Sequence, residues 1–152
     1  MTFSNWIFVS FKMTDLIEFF KLYGTQTTTN FDLKKIAHQL GIKNFHVLMR
    51  DELQLIKNRP TVNFITNLHT SDQNGVHWSA GIFSKNGDNY YFDSYGLPPT
   101  NEVRAILGNG IYNTFQIQKP GTNYCGQLCL YVLFKLQEGV PFLDIMLELN
   151  EP

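Results

Sequence analysis

Apolar residues at Leu33, Ile36, Ala37 and Leu40 follow the i, i+3, i+4, i+7 spacing of a one-sided helix. Asn30 supplies its cap and Gly41 stands just past its end. A shorter helix before it runs from a Thr14 cap to about Tyr23 and stops at Gly24. The stretch "NFHVLMRDELQLIKNRP" has no clean period and reads mostly as loop. Three β-rich runs follow, "TVNFITNL", "VHWSAGIF" and "NYYFDSYG". "TNEVRAILG" is a helix capped by Thr100, ending near Gly108, and "YNTFQIQ" is a fourth strand. A helix from about Tyr124 to Gln137 and a last one over "FLDIMLEL" complete the pattern.

Helices, then strands, then helices make an α+β fold. The expected form is a central mixed or antiparallel sheet of four to five strands, flanked by helices. The helix from Tyr124 is apolar on every side, through Leu128, Cys129, Leu130, Tyr131, Val132, Leu133 and Phe134. Such a helix belongs at the centre of a domain. With 152 residues, no repeats and no linker, the chain reads as one domain over residues 1–152.

Hydrophobic residues at 43% and aromatics at 14% support an ordered core rather than disorder. Twelve basic against thirteen acidic residues, with no basic run beyond Lys34-Lys35, leave no nucleic-acid footprint. Two cysteines are too few for a disulfide scaffold or a cysteine-based zinc site. His38, His46, His69 and His77 lack zinc-ligand spacing. No cofactor or metal is expected. The opening "MTFSNWIFVSFKM" lacks a basic leader, and its apolar run is too short for a membrane span. The expectation is an intracellular protein with reduced thiols and no membrane partner.

Cys125 follows the structure-breaking "PGTN", where Thr122 or Asn123 can cap the central helix. A thiol at a helix N-terminus sits at the positive end of the macrodipole, which favours thiolate. Its own backbone N–H is an oxyanion donor of the kind acyl transfer uses. Gly126 removes a neighbouring side chain, opening an approach for a substrate carbonyl. Cysteines are commonly just small buried hydrophobes. Cys129, one turn further in among Leu and Val, fits that description and is assigned to the core.

A nucleophilic cysteine needs a base, and the base an orienting partner. In "VHWSAGIFSKNGDNYYFDSYG", Lys85-Asn86-Gly87 suits a three-residue hairpin loop with a left-handed Gly. Opposed residue numbers then sum to 172. His77 faces Tyr95, Asp93 faces Ser79, and His77 and Asp93 become diagonal neighbours on one face. Their Cα atoms fall roughly 7–8 Å apart, within a carboxylate's reach of an imidazole. The other face gathers Trp78, Ala80, Ile82, Tyr90 and Phe92, so the apolar pattern supports the same register. A two-residue turn would send Asp93 to the opposite face. His38 lies among Lys and Gln and reads as exposed. Asp88 reads as turn chemistry, and Asp51 and Glu52 as solvated or capping.

"GVHW", then "YYFDSYG", then a Gln seven residues before "CG" resembles the adenovirus-type maturation proteases. That family belongs to the clan of the ubiquitin-like-protein-specific proteases. The wording "FDSYGLPP" resembles proteases of virophages and Polinton-type transposons most. The resemblance covers about Asn63 to Leu133. It implies Cys125 as nucleophile, His77 as general base, Asp93 as its orienter and Gln118 as oxyanion-hole donor. Gln116 is the rival for that last role, and Trp78 would pack beside the base. The chain departs from the adenovirus enzyme in its near-neutral charge, in having no cysteine outside the central helix, and in carrying Asp for Glu. Activation by DNA or by a disulfide-linked peptide is therefore not expected.

The resemblance implies a cysteine endopeptidase that cleaves viral or transposon capsid precursors near Gly-containing sites. Such an enzyme would act as a monomer in host cytoplasm or nucleus, or packaged in the virion. An isopeptidase acting on ubiquitin-like conjugates is the second reading. An inactivated protease fold serving as an interaction protein is the third, although an intact Cys, His, Asp and Gln set speaks against a relic.

Overall fold

The computed structural model describes residues 16–150. The Thr14 cap and the opening apolar residues lie outside them. Helix α1 spans Leu16–Tyr23, and Gly24 closes it at φ 81, its N–H donating to Phe20 O at 2.7 Å. Helix α2 spans Asn30–Leu40, but its cap is Thr29 rather than Asn30. The Thr29 hydroxyl accepts from Asp32 N and the Asp32 carboxylate from Thr29 N, a reciprocal capping box. Gly41, at φ 70, ends it.

Residues 44–60 are not loop. They hold strand β1, Phe45–Leu48, and a 3₁₀ helix, Arg50–Ile56. β1 pairs parallel with β2, Thr61–Asn67, and this non-local pairing gives it a strand's geometry without a strand's alternation. Strand β3, Trp78–Ser84, runs antiparallel to β2 and to β4, Tyr90–Phe92. Helix α3 is Asn101–Leu107, with the Thr100 hydroxyl accepting from Val103 N. The fourth expected strand shrinks to β5, Ile111–Tyr112, parallel to β4. Helix α4 is Cys125–Gln137 and α5 is Phe142–Leu149. The result is a five-stranded mixed sheet in the order β1-β2-β3-β4-β5 flanked by helices, the α+β architecture expected.

The hairpin register is the one the apolar pattern favours: Ala80 faces Phe92, Gly81 faces Tyr91 and Ile82 faces Tyr90. Its turn differs, because Gly87 is not left-handed. The Asn89 side-chain carbonyl accepts from Ser84 N at 3.1 Å and ends the ladder there. One sheet face, with Ile65, Trp78, Ala80 and Phe92, packs on α4 and α2. The other, with Val62, Phe64 and Tyr91, packs on Leu53, Ile56, Val103, Ile106 and Leu107. Every α4 residue from Gly126 to Lys135 is buried, so the apolar-all-round helix does occupy the centre.

Candidate active site

Cys125 is the first residue of α4 and half-buried. The helix cap is Tyr124, not Thr122 or Asn123, and no side chain caps it. The Thr122 hydroxyl closes its own turn on Lys119 O at 2.6 Å. The first N–H groups of the helix, which have no intrahelical acceptor, therefore remain free of a side-chain cap.

Gly126 serves a different purpose from the one expected. A Cβ there would lie 2.1 Å from Thr28 Oγ1 and 2.9 Å from Leu33 Cδ2. The space is filled by protein, so Gly126 admits residues of the α1–α2 segment rather than a substrate. Gln127 Nε2 donates to Gln26 O at 2.8 Å, and Trp78 Nε1 donates to Thr28 O at 3.0 Å. Residues 26–28 thus tie the first turn of α4 to the residue after His77.

His77 lies at the end of a loop drawn tight by Asn67. The buried Asn67 Oδ1 accepts from both His69 N and Val76 N at 3.0 Å. Leu68 N donates to His77 O at 3.1 Å, so the loop closes directly under the imidazole. Ser71 anchors it outside, donating through N and Oγ to the Asp51 carboxylate at 2.8 and 2.6 Å. Asp51 is thus a loop anchor, while Glu52 accepts from Met49 N at 2.7 Å as a cap.

His77 Nε2 stands 3.2 Å from Asp93 Oδ1. Asp93 is fully buried, and the same oxygen accepts from Tyr95 N at 2.7 Å. Its Oδ2 has no hydrogen-bond partner among the described residues, so the His77 imidazolium is its natural counter-charge. Asn113 replaces a ladder partner for Asp93: its Oδ1 accepts from Asp93 N at 3.1 Å and its Nδ2 donates to Asp93 O at 2.7 Å. The Tyr95 ring lies against the imidazole, with centroids 4.9 Å apart.

With Nε2 committed to Asp93, Nδ1 is the nitrogen left for the thiol. Burial pushes the His77 pKa down, but hydrogen bonds and charge from Asp93 and Cys125 outweigh it and raise it to about 9. The imidazole is therefore cationic at neutral pH. Cys129, wholly buried one turn inward, has its pKa pushed well up by burial and by the charges of Cys125 and Asp93.

Gln118 is buried and held at both ends of its amide. Ser94 Oγ donates to Oε1 at 2.6 Å, and Nε2 donates to Thr122 O at 2.9 Å. One Nε2 hydrogen remains, on an amide that lines the same cleft as Cys125. Gln116 is exposed, does not line the cleft, and donates to Gln118 O at 2.8 Å. It braces Gln118 instead of competing with it.

Cys125, His77, Trp78 and Gln118 all line one cleft of about 810 Å³. It runs from residues 27–30 and the end of β1 past the His77 loop to residues 121–123. Among the described residues, the ionisable side chains that line it are Glu52, His77, Tyr95 and Cys125. His38 is exposed on α2 and away from the cleft. Among the described residues, no group of three or more His, Cys, Asp and Glu is placed to hold a metal ion, and no helix is long and apolar enough to cross a membrane.

Of the residues that shape this site, Tyr95, Ser94, Asn67, Asn113 and Thr28 received no role from the sequence. The 172 register already set Tyr95 opposite His77. The other four act through loops or buried backbone, which leave no periodic trace.

No family model matches the chain, and no curated protein does. Among solved structures, the fold is similar to that of the ASFV pS273R protease, with a TM-score of 0.60 at 16% identity. The match covers 80% of this chain and 62% of that one, so the chain spans under two thirds of that protease. The likeness is one of fold.

Proposed function

We propose that the protein is a cysteine endopeptidase with Cys125 as nucleophile. The observation that carries this reading is the convergence of a helix-tip thiol, a cationic imidazole held by a buried carboxylate, and a fixed amide N–H on one cleft. The protease fold of the structural neighbour supports it.

Proton transfer from the Cys125 thiol to His77 Nδ1 gives a thiolate–imidazolium pair. Burial lowers the His77 pKa, but hydrogen bonds and charge from Asp93 and Cys125 raise it to about 9 and favour that transfer. Cys125 Sγ attacks the scissile carbonyl carbon, and the C=O π electrons move to oxygen. Gln118 Nε2–H and the Cys125 N–H stabilise that oxyanion. The intermediate collapses, the C–N bond breaks, and the Nδ1 proton of His77 goes to the leaving amine. Neutral His77 then takes a proton from water as it attacks the thioester, which regenerates the ion pair and releases the acid. Asp93 orients the imidazole throughout, and Trp78 shields it from water.

The sequence motifs favour a capsid precursor as substrate, cut near Gly, in the host cell or the virion. Incubation with viral or transposon capsid precursor proteins that carry Gly-containing sites tests the reading. Wild type should cleave them and Cys125→Ala should not; equal fragment patterns would sink it. Ubiquitin-like conjugates run in parallel separate an isopeptidase from an endopeptidase.

A further inference from the structure

We infer that Ser94 is a positioning residue for the oxyanion-hole amide, an inference that rests on Gln118 being the oxyanion donor. Ser94 is fully buried and directly follows Asp93. Its hydroxyl donates to Gln118 Oε1 at 2.6 Å, and its carbonyl accepts from Ile117 N and Gln118 N at 2.8 and 2.9 Å.

Thr122 O can only accept, so it fixes which end of the amide is nitrogen. Oε1 can only accept as well, so the Ser94 hydroxyl must be the donor. Three bonds from one residue therefore hold the Gln118 backbone and set the plane of its amide. A hydrogen bond into Oε1 also polarises the amide and strengthens the remaining N–H as a donor. Asp93 and Ser94 thus serve two halves of one reaction: the first holds the imidazolium and the second aims the oxyanion donor. Ser94 touches no reacting atom.

The test uses the full chain and two thiol probes. Iodoacetamide alkylates Cys125 without developing an oxyanion. A tripeptide aldehyde, acetyl-Gly-Gly-glycinal, adds to the thiol and places its oxygen in the oxyanion hole, so it protects Cys125 from alkylation. Ser94→Ala should weaken aldehyde protection roughly tenfold, and Gln118→Ala at least as much, since loss of an oxyanion donor costs about 10²–10³ in rate. Alkylation by iodoacetamide alone should stay within about twofold of wild type in both. Ser94→Thr, which keeps the hydroxyl, should restore most of the protection. Adding Ser94→Ala to Gln118→Ala should cost nothing more, because the two act as one unit.

Equal loss from Ser94→Ala in the wild-type and Gln118→Ala backgrounds would overturn the inference. So would a parallel fall in alkylation, which would mean that Ser94 merely holds the fold. If Gln118→Ala weakens protection and Ser94→Ala does not, the inference fails alone. If Gln118→Ala protects like wild type, the oxyanion role of Gln118 fails and takes this inference with it.

Discussion

His77 Nε2 meets Asp93 Oδ1 at 3.2 Å beyond the end of the ladder between β3 and β4. The strands supply the direction, and side chains from elsewhere finish the placement: Asn67 on the His77 side and Asn113 on the Asp93 side.

That pair sets a pH dependence. Burial lowers the His77 pKa, but Asp93 and Cys125 together raise it to about 9, so the proton needed by the leaving amine is lost as pH rises through that value. Peptide cleavage should show an alkaline limb near pH 9 in wild type. In Asp93→Asn the limb should shift to lower pH, with kcat down at least roughly tenfold. The same raised pKa adds stability that is complete below about pH 6.5, the ordinary His value, and fades as pH rises through about 9. The Tm gap between wild type and His77→Gln should narrow over that interval. An unmoved alkaline limb in Asp93→Asn would remove Asp93 from the mechanism.

The two cysteines should separate cleanly. At pH 6, His77 is cationic beside Cys125, whereas Cys129 is buried with its pKa raised. Iodoacetamide should label Cys125 at least roughly tenfold faster than Cys129. Mass mapping of the labelled chain reads this directly, and equal slow labelling would defeat the ion-pair claim.

Gly126→Ala should destabilise by about 1–3 kcal/mol through overpacking. Its Cβ would strike Thr28 Oγ1 and Leu33 Cδ2. At roughly 2–4 °C per kcal/mol for a chain this size, Tm should fall by several degrees. Thr28 Oγ1 has no partner among the described residues, so Thr28→Ala in the same chain should recover most of the loss. A lone Gly126→Ala with unchanged Tm would contradict this packing.

Asn113→Ala removes the partner of the buried Asp93 N–H, while Asp93 O keeps the donor Gly96 N at 2.9 Å. The one unpaired backbone group costs about 1–3 kcal/mol. Thermal melts should show the loss, and kcat should fall while KM holds, because Asn113 does not line the cleft. A change confined to KM would argue that Asn113 works through substrate binding.

Among the described residues, Glu52 is the one carboxylate that lines the cleft, and no Lys or Arg lines it. Substrate capture should therefore be nearly indifferent to salt, with kcat/KM varying less than about threefold from 0.05 to 0.5 M, since steering between charges is what salt screens. A steep salt slope would reveal a charged docking surface elsewhere.

What the sequence made legible was periodic. The 3.6-residue repeat marked α2, the unbroken apolar run marked α4 as central, and alternation on both strands fixed the His77–Asp93 register. Features that depend on distant partners stayed hidden. β1 is a strand because β2 lies beside it, and residues 113–118 leave the sheet because Asn113 and Ser94 take over the bonds that a ladder would make. Thr29 displaced Asn30 as cap because Asp32 completes the box with it, a choice between adjacent residues that spacing alone does not resolve. Gly126 invited the wrong reason, since a missing side chain says only that something comes close.

The proposed nucleophile and acid sit on separate elements, Cys125 on α4 and His77 just before β3. The two elements pack face to face, and residues 26–28 clamp the first turn of α4 to Trp78. A nascent or half-assembled chain would hold the thiol without its imidazolium. The proposed proteolytic activity would then depend on that docking, so a chain that has not yet joined α4 to the sheet would spare its neighbours.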